Sequence, residues 1–218
     1  MPEIIVFAGP NGSGKSTITR LARVIEPYIN ADDIKRVEHC TDMEAALKAE
    51  AMREKALSNF QDFTFETVLS TDRNLKLLQR AKEQGFFIRC IYVLTSNPSV
   101  NLNRIKSRVA DGGHDVPREK IFSRYQKALA LLPSLVPVCD VLHIYDNTNI
   151  PFRIFKKHAC PRERIPWLSG LNRVEGPLAN GPALTDPDGR LSRIRLFTQL
   201  MHQEAPYKLT LILAVTSG

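Results

Sequence analysis

The sequence predicts an α/β fold in which a mostly parallel sheet lies between two layers of helices, a three-layer sandwich, and two observations carry it. Short apolar, β-branched runs alternate with helix-period segments up to about residue 145, the pattern of a parallel sheet buried on both faces. The first run leads directly into Gly9-Pro-Asn-Gly-Ser-Gly-Lys-Ser16, which fits GxxxxGK[ST], a loop whose curled backbone turns N–H groups toward phosphate oxygens. The expected architecture is therefore a P-loop NTPase sandwich.

Each element follows from its residues. Residues 4–8 form a β-branched run ending at the glycine-rich loop, and residues 15–25 carry apolar positions at helical spacing, so strand, loop and helix are expected in that order. Residues 28–32 predict a second short strand running into a polar tip, and the Ala-, Glu-, Lys- and Met-rich stretch 42–59 predicts a long helix. A strand over 63–69 has Glu66 in its middle, and a helix over 73–84 is closed by Gly85. Residues 86–95, "FFIRCIYVLT", are the clearest buried strand. Helices over 100–110 and 118–132 flank the loop Asp111-Gly-Gly-His-Asp-Val-Pro117, and 138–145 is expected to be the last strand.

The chain of 218 residues is 43% hydrophobic, enough for one α/β domain with a core. A formal charge of +7 and a pI near 9.4 favour anionic partners without choosing among them. Cys40, Cys90, Cys139 and Cys160 form no CxxC pair, so neither a zinc site nor a disulfide framework is indicated and a reducing cytoplasm fits. Glu3 interrupts the first apolar residues and no basic leader precedes them, against a signal peptide. The run at 209–215 is too short to span a bilayer, so no membrane partner is expected. The domain is expected to occupy residues 1–157. Residues 158–218 read as a loosely ordered Pro/Arg-rich extension, because Pro161, Pro166, Pro177, Pro182 and Pro187 interrupt its candidate helices, leaving only 191–202 and 207–216. A reading-frame change near the end of the gene would produce the same abrupt shift.

The chemistry concentrates near the loop. Gly9, Pro10, Asn11, Gly12, Ser13, Gly14, Lys15, Ser16 and Thr17 are the expected ATP-binding residues, Lys15 reaching the β- and γ-phosphates and Ser16 supplying an oxygen to Mg²⁺. Asp32 sits at a predicted strand end, where ligands of open parallel sheets lie, and would serve as general base for an acceptor hydroxyl or hold Mg²⁺ through water. One of Asp32 and Asp33 is expected to cap the helix that follows, with Asp33 as the candidate cap. Glu66 is costly if buried unpaired, which points to a role at the site unless alternation turns it to solvent. The strand over 86–95 ends in Leu94-Thr95 rather than in a carboxylate, against a motor ATPase. Arg104 and Arg108 share a helix face beside the Gly-Gly-His loop, which reads as a mobile flap delivering cations. His114 would cap a turn or touch a ligand.

These stretches together resemble the zeta-toxin-like P-loop kinases over residues 3–157. The resemblance is carried by GPNGSGKST, YINADDI, FETVLS, RVADGGHDVP with the following RY, and YDN, and is closest to the subgroup with the GGHDVP flap. It implies ATP- and Mg²⁺-dependent phosphorylation of a sugar hydroxyl of UDP-N-acetylglucosamine or a related nucleotide sugar. By that resemblance Lys15 and Ser16 match the loop lysine and hydroxyl, and Asp32 the catalytic base. Glu66 matches an acidic residue on the substrate side, and Arg108 and Arg124 match the arginine pair that clamps the transferring phosphate; Thr67 and His114 are further candidates for binding the substrate. Some members have a cognate antitoxin. Lys35 and Arg36 compete here for the place of an arginine that toxin-type sequences carry after the aspartate's turn, and the chain beyond Lys157 has no counterpart. The other class weighed is an ATP-hydrolysing interaction protein whose basic surface binds nucleic acid or protein; the missing aromatic interleaving disfavours nucleic acid.

Overall fold

The computed structural model describes residues 1–113 and 115–158. The expected extension, with its segments 191–202 and 207–216, and His114 lie outside the described residues.

Six strands form one sheet in the order β2-β3-β1-β4-β5-β6. The strands are β1 (Glu3–Ala8), β2 (Tyr28–Ile29), β3 (Phe63–Thr67), β4 (Phe87–Leu94), β5 (Val141–Asp146) and β6 (Phe152–His158). β1 pairs in parallel with β3 and β4, placing Phe7 opposite both Glu66 and Ile91. β2 joins β3 and β5 joins β4, also in parallel, whereas β6 returns antiparallel on β5. The mostly parallel α/β sandwich expected from the sequence is present, with the loop after β1 at the centre of the sheet's carboxyl edge.

Alternation along the strands divides the core between the two faces. Ile4, Val6, Phe63, Phe65, Ile88, Cys90 and Tyr92 pack with α3 (Asp42–Ser58), α4 (Arg73–Glu83) and α7 (Leu132–Val138). Ile5, Phe7, Ile91 and Val93 pack with Ile18 of α1 (Lys15–Thr19) and with Ala22, Val24 and Ile25. α5 (Pro98–Ala110) and α6 (Arg118–Ala130) hold a smaller cluster built on Ile105, Val116 and Ile121.

Four boundaries depart from the sequence expectation. α1 stops at Thr19 rather than residue 25: the Thr19 hydroxyl donates to Lys15 O at 3.1 Å, and Thr64 then grips Ile25, its Oγ1 accepting from Ile25 N at 2.8 Å and donating to Ile25 O at 2.7 Å. The chain continues as turn and irregular backbone, with Ala22, Val24 and Ile25 packed against the sheet and Leu21 exposed. β2 ends at Ile29, and the polar tip is the start of a helix, α2 (Ala31–Glu38), capped by Asn30 Oδ1 accepting from Asp32 N at 3.0 Å. Val138 closes α7 instead of opening β5. Lys157 replaces a local cap there, donating to Val136 O at 2.8 Å and Cys139 O at 2.7 Å. Finally, 138–145 does not hold the last strand, because β6 follows; a register shift between Ile144 and Tyr145 lets adjacent Ile154 and Phe155 both be buried, which erases the period-two signal.

Candidate functional site

The loop between β1 and α1 requires its glycines through crowding as well as backbone angle. Gly9 (φ +141) would place a Cβ 2.0 Å from Val93 O, Gly12 (φ +74) 2.6 Å from Asn101 O, and Gly14 (φ +92) 2.2 Å from Asn147 Nδ2. Only a residue without Cβ fits three such positions. The loop is closed by Gly9 N donating to Thr67 O at 3.2 Å and Ser13 N to Pro10 O at 3.2 Å. Ser16 and Thr17 lie exposed in the first turn of α1, where helix N–H groups have no intrahelical acceptor and attract anions.

Lys15 is 8% exposed, and its ammonium donates to Gly9 O at 2.9 Å and Pro10 O at 3.2 Å, with Glu66 Oε1 3.9 Å away. Burial pulls its pKa below the ordinary lysine value; the charges of Glu66 and Asp32 oppose that shift and Arg108 adds to it. Four groups proposed from the sequence therefore feel one another around a single ammonium. Glu66 is not turned out to solvent: its side chain is 11% exposed, and Oε2 accepts from the Tyr28 hydroxyl at 2.8 Å. The strand-end carboxylate missing from β4 has its nearest equivalent here, since β3 is also a direct neighbour of β1. Thr67 is buried and structural, its Oγ1 accepting from Leu69 N at 3.0 Å and Asn74 Nδ2 at 2.8 Å.

Asp32 opens onto a cleft of about 140 Å³ lined by Asn11, Ala31, Asp32, Lys35, Asp42, Ala45, Arg108, Val116 and Arg124. Neither aspartate caps α2, correcting the expectation for Asp33: Asn30 takes the cap, Asp33 pairs with Arg36 at 2.7 Å, and Asp32 is left facing the cleft. Of the two cations that follow, Lys35 pairs with Asp42 at 2.6 Å on the cleft wall and Arg36 with Asp33. Arg124 reaches the loop itself, Nη1 donating to Asn11 Oδ1 at 3.4 Å.

The described part of the expected flap is in large measure a helix cap. Gly112 N donates to Val109 O at 3.0 Å and Gly113 N to Arg108 O at 2.8 Å, closing α5 after Ala110 in the turn that carries Arg108. Arg104 and Arg108 share a face as expected yet diverge, since Arg104 Nη2 donates to Thr148 O at 2.9 Å beyond β5 while Arg108 lines the cleft.

Two supporting residues, Asn101 and Asn147, escaped the sequence reading as site residues, and Arg104, read there as a flap cation, is a third. Asn101, fully buried, donates from Nδ2 to Asn11 O at 2.7 Å and accepts the Thr95 hydroxyl. Asn147 donates from Nδ2 to Ser13 O at 2.8 Å. Arg104 Nη1 is buried with no partner among the described residues, near Gly14. The YDN stretch was the only signal for Asn147; a lone asparagine inside α5 offers none.

This sheet order, central loop and helical layers define a P-loop kinase-like fold. The chain superposes on a protein from the AvrRxo1-ORF1:-ORF2 complex with ATP with a TM-score of 0.57, at 13% identity over 94% of this chain and 77% of the other. It superposes on a protein from the PezAT chromosomal toxin–antitoxin system of Streptococcus pneumoniae with a TM-score of 0.53, at 14% identity over 95% of this chain and 88% of the other. No family model matches the sequence. An uncharacterized protein of Haemophilus influenzae is 31% identical over 129 residues, 56% of this chain and 92% of that protein, and the chain belongs to that protein's family. Among the described residues no helix is long and apolar enough to cross a membrane.

Proposed function

We propose that this protein is an ATP-dependent phosphotransferase acting on a hydroxyl of a small molecule, with UDP-N-acetylglucosamine or a related nucleotide sugar as the first acceptor to test. The observation that carries the proposal is the cleft that loop residue Asn11 lines together with Asp32, Arg108 and Arg124. A carboxylate sharing a cleft with two guanidinium groups suits a hydroxyl acceptor: Asp32 takes or orients its proton, while the arginines meet charge developing on the transferred phosphoryl group. Lys15 leaves Gly9 O and Pro10 O for the phosphates, and Glu66 belongs to the acceptor side. The ATP named for one structural neighbour supports the choice of nucleotide.

Mg²⁺ fits this donor set, because the exposed Ser16 hydroxyl and Asp32 carboxylate are hard oxygen ligands beside the loop. Once bound with the nucleotide it would neutralise phosphate charge. An antitoxin-like protein partner belongs to the same proposal, supported by the toxin–antitoxin system of the pneumococcal neighbour.

The test is incubation of the protein with Mg²⁺-ATP and a panel of nucleotide sugars, with product masses recorded beside Lys15→Ala and Asp32→Asn. A phosphoryl mass gain on one acceptor, lost in both variants, is expected. ATP consumption indifferent to every acceptor would overturn the reading.

A further inference from the structure

The hydroxyl of Tyr28 donates to Glu66 Oε2 at 2.8 Å and accepts from Asn30 Nδ2 at 3.3 Å. The other oxygen of Glu66 lies 3.9 Å from Lys15 Nζ, and the other polar end of Asn30 caps the helix that carries Asp32. An unbroken polar chain therefore runs from the loop lysine through Glu66, Tyr28 and Asn30 to the backbone N–H of Asp32. We propose that Tyr28 is a positioning residue, which holds Glu66 at its distance from Lys15 and fixes that pair relative to the helix bearing Asp32.

Three features separate this role from ordinary packing. β2 contains only Tyr28 and Ile29, and Ile29 is its buried core residue, so the phenol is spared for the polar face at the sheet's carboxyl edge. A phenylalanine would keep the ring and lose only the hydroxyl, with its bond to Glu66 and the longer one from Asn30. With one carboxylate oxygen held by Tyr28, the other is aimed toward the ammonium without closing on it. Freed of Tyr28, the carboxylate would swing toward Lys15 and draw on the charge that Lys15 offers to the phosphoryl group as it transfers. The phenol itself is pushed above the ordinary tyrosine range, first by burial and then by the Glu66 charge, as a donor to a carboxylate should be.

The proposal rests on the phosphotransferase reading, and its test keeps the two apart. Tyr28→Phe is expected to lower kcat by about 10- to 100-fold, the usual cost of losing a group that orients a site ligand. KM for ATP should stay within about twofold and the melting temperature should be unchanged. On a Glu66→Gln background, Tyr28→Phe should cost nothing further, because the two act as one unit. A Tyr28→Phe enzyme with full kcat, or losses that multiply in the double variant, would overturn the proposal. A second readout needs no turnover: alkaline ultraviolet titration, with the Tyr28 signal identified by difference from Tyr28→Phe. Glu66→Gln should bring that ionisation to lower pH. An unmoved signal would overturn the Tyr28–Glu66 pairing even if the protein proved inert toward every acceptor, an outcome that would sink the phosphotransferase reading alone.

Discussion

The phosphate loop and the Gly112-Gly113 turn at the end of α5 both depend on glycine, for different reasons. In the loop, backbone carbonyls and the Asn147 amide occupy the space a Cβ would need at Gly9, Gly12 and Gly14. At Gly112 nothing among the described residues lies within 4 Å of that position, and the requirement is the left-handed angle of +83° alone. Its neighbour Gly113 is crowded as well, since a Cβ there would lie 2.6 Å from Arg108 Cγ and 2.8 Å from Arg108 O. A crowded glycine transmits the shape of the fold to the site, whereas a torsional glycine such as Gly112 only ends a helix at the right place, here after Ala110.

The sharpest way to break this comparison is Gly9→Ala. A methyl group driven against Val93 O should destabilise the protein by about 3 kcal/mol or more and remove ATP binding, measured by thermal melting and by calorimetric titration. An alanine enzyme with native ATP affinity would show that the loop yields and that crowding is not what shapes it. Asp32→Asn comes next, with an expected loss in kcat of about 10²- to 10⁴-fold that exceeds its effect on Mg²⁺-ATP affinity, because Asp32 faces the cleft rather than the loop backbone. Arg108→Ala should lower kcat by about 10²-fold with little change in melting temperature, since Arg108 is exposed on α5. The smallest effect belongs to Gly112→Ala, about 1 kcal/mol of stability for an L-residue in the left-handed region. Its activity should fall only slightly; a loss comparable to that of Arg108→Ala would mean that the cap also aims the arginine.

The parts of the fold that a local pattern encodes were legible. The Thr41–Glu44 capping box opens α3 as the 42–59 stretch predicts, and Gly85, at φ +88, follows α4 where the sequence places a stop. The parts decided by distant partners were not. α1 is cut short by Thr64, 39 positions away from Ile25, and α7 is capped by Lys157, reaching back 21 positions to Val136. The same split runs through the candidate site. Asp32 could be singled out because two aspartates follow a short strand, but which of them faces the cleft depended on Asn30 taking the cap. Asn101, Asn147 and Tyr28 act through single hydrogen bonds to residues remote in sequence, and one polar side chain at one position has no periodicity to betray it.

By itself, then, the sequence determined the α/β class, the phosphate loop and the residue types that gather around it, because glycine torsions, helix caps and hydrophobic periods act over a few neighbouring residues. Tertiary structure decided what those residues do to one another. Only the sheet order puts β3 beside β1, so that Glu66 lies near Lys15. Only the packing of α5 and α6 beside the loop brings Arg108 and Arg124 into the cleft that Asp32 lines. Charges and hydrogen bonds act across space at a few ångströms, and no local pattern records which distant residue will arrive there.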